Sequence, residues 1–296
     1  GVLAKLHKAG YPVAGFDMYV TSTVLPGSGL SSSAACEVLI GTTGNHLFCQ
    51  DKFDAVEIAK IGQAAENEYF GKPCGLMDQT ACSVGDAVAI DFKDPANPIV
   101  RSINADLTGL GLALCIIDCG ADHAALTNEY ASIPEEMSKV AAHFGKKVLR
   151  EVKEEDLLAD LAQVRKEAGD RAVLRALHFY ADDRRAAEEA DALERKDKEA
   201  FLNLVKESGR SSWELLQNIT PAAAITHQDM AVALAVAEKA LNGKGACRVH
   251  GGGFAGTIQA FVPVEDVCEF KKTMETMLSE GCCHVLSIRP AGGLIL

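Results

Sequence analysis

The stretch that most restricts this chain is Pro26-Gly27-Ser28-Gly29-Leu30-Ser31-Ser32-Ser33-Ala34-Ala35. Glycines let a backbone turn tightly and come close to a ligand. Before the loop, residues 16–24 alternate and are rich in β-branched and aromatic types, so a strand is predicted there. After it, a helix is predicted from about Ser32 to Leu47. The first amides of such a helix have no intrahelical acceptor and carry partial positive charge. Strand, glycine turn and helix start together describe an anion cradle, for which phosphate is the usual occupant. The run of serine hydroxyls adds donors and a ligand suited to Mg2+, and Ala34 and Ala35 allow close helix packing. No Gly-Lys-Ser/Thr closes the loop, so this is not the Walker pattern. A serine-capped helix after a plain glycine turn fits the same residues.

Two further segments carry chemistry. Gly71-Lys72-Pro73-Cys74-Gly75-Leu76-Met77-Asp78-Gln79 places a carboxylate just ahead of a predicted helix. Asp78 reads either as a helix cap or as a group that orients a substrate hydroxyl and takes its proton. The helix before it is predicted from Asp54 to about Phe70, with Asp54 and Glu57 as a capping box. Ile58, Ile61, Ala65 and Tyr69 form its buried stripe, and Gly71 is its stop. Glu66 lies at the edge of that stripe, where residue chemistry alone reads it as a solvated glutamate beside Asn67 and Glu68. The other segment is Arg248-Val249-His250-Gly251-Gly252-Gly253-Phe254-Ala255-Gly256, between two strand-like stretches. By itself it reads as a flexible hairpin.

Composition narrows the field. A chain of 296 residues with 41 acidic and 29 basic side chains carries a net charge of −12. That balance disfavours nucleic acid and anionic membranes as partners. No apolar run is long enough to span a bilayer, and the first residues lack the apolar core of a signal peptide. A cytoplasmic protein with reduced, buried thiols is therefore expected from its ten cysteines, and no spacing suggests zinc. Strands are predicted at 87–92, 111–118, 257–262 and 284–288. The stretch from about Ser132 to Leu241 reads as mostly helical, and Val264 to Leu278 as an amphipathic helix. The whole is an α+β pattern in two lobes. The chain has no initiator methionine, so a processed or partial sequence is expected.

The decapeptide from Pro26 to Ala35 resembles the phosphate loop of the GHMP small-molecule kinases, and its Gly-Leu-Ser-Ser-Ser-Ala-Ala wording is most similar to galactokinases. Galactokinases carry a Pro-Cys-Gly-Ile-Met-Asp-Gln segment whose aspartate is catalytic; only Leu76 departs from it here. The resemblance implies that Asp78 is the catalytic carboxylate and contacts the substrate, and that residues 26–33 (Pro26, Gly27, Ser28, Gly29, Leu30, Ser31, Ser32 and Ser33) hold the phosphates of ATP. It implies Mg2+ on Ser32 and Glu66. Gly251, Gly252 and Gly253 resemble the third GHMP motif, a loop that in the family packs beside the phosphate loop. Asp118 to His123 with Asn128-Glu129-Tyr130 resembles the segment whose tyrosine contacts the sugar, which implies Tyr130 as a substrate contact. The family continues there with an asparagine and paired arginines, whereas Ala131-Ser132-Ile133-Pro134 follows here, as in a divergent branch.

The implied fold is a two-lobed GHMP kinase. Residues 1–110 would be the remainder of an S5-like N-terminal domain, and 111–296 a ferredoxin-like helical C-terminal domain. The implied reaction is ATP plus galactose giving galactose 1-phosphate plus ADP. Galactokinases also begin with a Gly-Arg-Val-Asn-Leu-Ile-Gly-Glu-His-Thr-Asp-Tyr signature that this sequence does not contain. A chain without it is expected to bind sugar poorly and to expose an unpaired sheet edge. The alternatives are a kinase for N-acetylgalactosamine, a heptose or mevalonate, a truncated piece without turnover, and a non-catalytic ligand sensor on the same scaffold.

Overall fold

A computed structural model describes residues 1–24, 30–71, 74–120, 126–254 and 256–296. The chain divides into two compact units, Gly1–Ala105 with Ile288–Leu296, and Asp106–Ser287.

The first unit is built on helices α1 (Val2–Lys8), α2 (Ser32–Cys49), α3 (Ala55–Ala64) and α4 (Met77–Val84). Val2, Leu6, Val38, Cys49, Ile58 and Ala59 are buried in it. Asp54 and Glu57 cap α3 reciprocally, each side chain accepting the other's backbone amide at 2.8 Å. The helix then widens into a π turn, Ala65–Phe70, and stops at Gly71 in the left-handed region. The widening rotates the residues beyond it, so Tyr69 leaves the predicted buried stripe and is 43% exposed, with the Lys8 ammonium 5.1 Å from its ring centre. Strands β1 (Ala87–Asp91) and β2 (Ile99–Ile103) pair antiparallel. The closing residues return to this unit: the Asp86 amide donates to the Arg289 carbonyl at 2.7 Å.

The predicted strand at 16–24 does not form. The pattern of that segment is strand-like, but a strand needs a neighbour's amides and carbonyls. Among the described residues it joins no sheet, and Tyr19 is 92% exposed.

The second unit adds β3 (Leu112–Asp118), α5 (Thr127–His143), α6 (Glu154–Ala159), α7 (Leu161–Ala168), α8 (Asp170–Glu194), α9 (Lys198–Ser211), α10 (Asp229–Leu241), β4 (Ala246–Val249), β5 (Thr257–Pro263), α11 (Val267–Met277) and β6 (Cys283–Leu286). Its antiparallel sheet has the order β4-β5-β3-β6, with Asp118 opposite Thr257 and Ile117 opposite Cys283. Cys115, Ile117, Ile258, Ala260 and Val262 alternate onto the face covered by α10 and α11, whose Ala233, Ala237, Phe270 and Met274 complete the core. Phe261 points to the other face and meets Phe201 of α9 edge-on at 4.8 Å. A second apolar cluster joins α5, α7 and α8 through Val140, Val164, Val173 and Ala176. The architecture is α+β, as predicted. All ten cysteines are free, but Cys36 and Cys268 are exposed, which corrects the expectation of uniformly buried thiols.

Candidate functional site

Leu25 to Gly29, and with them Pro26, Gly27 and Ser28, lie outside the described residues, as do Lys72, Pro73 and the stretch 121–125 with His123. The chain after the glycines is defined. Ser31 caps α2 from a left-handed backbone conformation, φ 53° and ψ 45°. Its carbonyl accepts the Ala35 amide, leaving the amides of Ser32 and Ser33 at the helix start without an intrahelical acceptor. The Ser31 hydroxyl donates to Asp78 Oδ2 at 2.6 Å. Asp78 is in the first turn of α4 and is exposed. One carboxylate therefore stands beside the N-terminus of α2 while occupying the first turn of α4, both places that favour negative charge. The serine that meets Asp78 is Ser31; Ser32 is half-buried one residue further on.

Local bonds fix the segment leading to Asp78. Asn67, in the π turn, accepts the Cys74 amide at 2.7 Å, and Gln63 donates to the Cys74 carbonyl at 3.2 Å. The turn that carries Glu66 thus also holds the stretch of chain that carries Asp78. Glu66 is 5% exposed, which overturns its reading as a solvated glutamate. Gln79 Nε2 donates to Glu66 Oε2 at 3.1 Å and to Glu37 Oε2 at 3.0 Å. Gln79 is itself buried, and among the described residues its Oε1 has no hydrogen-bond partner. Burial, with the Glu66 carboxylate alongside, pushes the Cys74 thiol up to about 11, so it stays protonated at neutral pH.

One amide nitrogen thus gathers a buried and a half-buried carboxylate, and carboxylate oxygens are donors of the kind Mg2+ takes. Mg2+ commonly binds through one or two carboxylates together with substrate phosphates. The residues therefore fit that ion, with Glu66 and Glu37 as the carboxylates. Glu37 and Gln79 were missed in sequence; Gln79 adjoins Asp78 in the motif, but nothing in the spacing links Glu37 to Glu66.

In the second unit, Tyr130 lies near the start of α5 and its hydroxyl donates to the Gly253 carbonyl at 2.8 Å. Its ring meets Phe254 edge-on at 5.6 Å. A methyl at Gly252 would come within 2.9 Å of that ring. On the other side Asn218, 2% exposed, accepts the Phe254 amide at 2.5 Å and donates to the Gly252 carbonyl at 3.1 Å. Gly253 has φ 84°, and a Cβ there would stand 2.1 Å from the Asn218 carbonyl oxygen. Gly252 and Gly253 are thus held between Tyr130 and Asn218, not splayed as a flexible hairpin. Asn218 carried no signal in the sequence.

Comparison with known proteins identifies the family. Residues 1–86 match the GHMP kinases N terminal domain. The chain is 33% identical over 278 residues to the galactokinase of Streptomyces coelicolor, covering 93% of this chain and 68% of that protein. It is 33% identical over 266 residues to the galactokinase of Glaesserella parasuis, covering 88% of this chain and 65% of that protein. The chain thus spans about two thirds of the length of these relatives. Among solved structures, Lactococcus lactis galactokinase complexed with galactose superposes with a TM-score of 0.76 at 23% identity, over 99% of this chain and 74% of that one. The mevalonate kinase of L. major, in complex with R-mevalonate, gives 0.57 at 13% identity over 91% and 69%. Among the described residues no helix is long and apolar enough to cross a membrane. The family-domain match, the shared fold and the identity to two galactokinases converge: the chain belongs to the galactokinases of the GHMP kinase family.

Proposed function

We propose that this protein phosphorylates galactose at the anomeric hydroxyl, with ATP as phosphoryl donor, giving galactose 1-phosphate and ADP. The observation that carries the reading is the hydrogen bond from Ser31 to Asp78. It sets a carboxylate at the mouth of a helix whose first amides are available to phosphate oxygens.

Asp78 accepts a hydrogen bond from the sugar hydroxyl, orients its oxygen toward the γ-phosphorus and takes its proton as the new O–P bond forms. The bond from the γ-phosphorus to the bridging oxygen breaks, and ADP leaves with that electron pair. Backbone amides of Gly27 to Ser33 hold the phosphates. Mg2+ on Glu66 and the hydroxyl of Ser32, with Glu37 adjacent, would offset the charge that grows on the bridging oxygen. By resemblance, Tyr130 is the candidate acceptor contact and Gly251 to Gly253 the second glycine motif of the family. The protein acts in the cytoplasm on a small molecule, without nucleic acid or membrane as partner, in keeping with its net charge of −12.

An acceptor panel with labelled ATP and the intact protein tests this reading. Galactose should become labelled well ahead of N-acetylgalactosamine, a heptose or mevalonate. Preferential labelling of one of the others would move the substrate, and binding of galactose without any ADP would favour the non-catalytic sensor.

A further inference from the structure

The second glycine loop is gripped from two sides, and both grips lead to one buried cation. Arg175, on α8, is fully buried. Its Nε donates to the Leu216 carbonyl at 3.1 Å. Its Nη1 donates to Ser132 Oγ at 2.9 Å and to Glu136 Oε2 at 3.0 Å. Leu216 ends the π turn Ser212–Leu216, and Gln217 follows in the left-handed region. Asn218 comes next and holds Gly252 and Phe254. Ser132 and Glu136 belong to α5, the helix that presents Tyr130 to Gly253. Ser132 in turn donates to the Glu129 carbonyl, and Glu129 accepts the Ala222 amide at 2.9 Å, closing the path beyond Asn218.

A guanidinium is planar and presents several donors in a fixed fork. Here that fork sets the separation between the end of the π turn and the start of α5, the two supports of the loop. Among the described residues Arg175 Nη2 is buried without a hydrogen-bond partner, and every bond that Nε and Nη1 make goes to those two supports. We propose that Arg175 is a positioning residue for the second glycine loop, fixing Asn218 on one side of Gly252–Phe254 and Tyr130 on the other. Its effect on turnover rests on the reading of that loop as part of the kinase site.

The test is amide hydrogen exchange on Arg175→Lys, with Ser132→Ala as a milder variant that keeps the cation. An ammonium cannot span Leu216, Ser132 and Glu136 together. Exchange at Phe254 should quicken by about tenfold or more, the scale of losing one hydrogen bond to a charged group. Amides of α10 and of β5 should keep their protection. Trp213, the sole tryptophan, sits in the same π turn and should report the shift in its emission. Arg171→Lys is the control: Arg171 pairs with Glu136 from a part-exposed position, so its loss should leave Phe254 unchanged. Unchanged Phe254 exchange in the Arg175 and Ser132 variants, or equal loss of protection throughout the unit, overturns the proposal. If Arg175→Lys does not fold, Ser132→Ala decides by the same readout. A loosened loop with lower kcat and unaltered KM for ATP supports both the positioning role and the kinase reading of the loop. A loosened loop with full turnover keeps the positioning role and removes the loop from the kinase site.

Discussion

Ser31 and Asp78 are 47 residues apart in sequence and 2.6 Å apart in space, hydroxyl to carboxylate. The contact ties the start of α2 to the first turn of α4, so the phosphate-loop helix and the proposed base move together. Ser31→Ala removes a hydrogen bond to a charged group, a loss of about 1.5–3 kcal/mol. If that energy is felt in the transition state, kcat falls by roughly 10- to 10²-fold. Ser31 has φ 53°, so Ser31→Gly separates the backbone effect from the hydroxyl. Steady-state kinetics should show similar losses in both variants.

Gln79 supplies one amide to both Glu37 and Glu66. Gln79→Leu withdraws that shared donor from two crowded carboxylates. It should cost about 1–3 kcal/mol of stability, read as a lower denaturation midpoint in urea. Added Mg2+ should recover part of the loss, because a cation on those oxygens stabilises only the folded state. An unchanged midpoint would show that Gln79 does not hold the carboxylate pair together.

Gly253 combines φ 84° with a backbone oxygen 2.1 Å from where a Cβ would lie. Gly253→Ala therefore meets a disfavoured conformation and a clash that no side-chain rotation relieves. The conformational part alone costs about 1–3 kcal/mol. Thermal unfolding should show a clear drop in Tm, whereas Gly243→Ala, with φ 79° and open space around its Cβ position, should lose less.

Both ring nitrogens of His143 face carboxylates, Glu167 at 2.7 Å and Asp160 at 2.8 Å, and only the imidazolium can donate to both. The bond to Glu167, then that to Asp160, raises its pKa above the usual histidine value. A raised folded-state pKa adds stability that is complete below about pH 6.5, the unfolded value. It is lost as pH rises through the folded value. His143→Gln should therefore lower Tm most at mildly acid pH and least in alkali. Burial shifts His178 the other way, so the stability that its neutral form contributes is lost as pH falls below about 6.5. Parallel Tm profiles for His143→Gln and the unmodified protein across that range would contradict the assignment.

The sequence made most helices and strands legible because their apolar periodicity reflects burial, as in Ile58 of α3. It also exposed Asp78 and the serine run, since both sit in contiguous motifs. The remainder depends on partners far along the chain. Residues 16–24 have a strand's pattern, but no pattern within a segment says whether a neighbour pairs with it. Tyr69 left its stripe because the π turn adds a residue to the helical repeat, which periodicity cannot register. Glu37, Asn218 and Arg175 act through contacts with residues 42, 34 and 41 positions away, so their local sequence looks ordinary. Arg175 in particular sits in the stretch from about Ser132 to Leu241 that reads simply as helical.

In the proposed reaction, Asp78 takes the proton of the acceptor hydroxyl beside phosphates held at the start of α2. Galactose-dependent ADP release by Asp78→Asn, measured together with ATP affinity, isolates that step. The amide keeps the shape of the carboxylate and cannot accept the proton. A fall in kcat of about 10²–10⁴ is expected, with ATP binding largely unchanged. Turnover retained in Asp78→Asn would contradict the role given to this carboxylate.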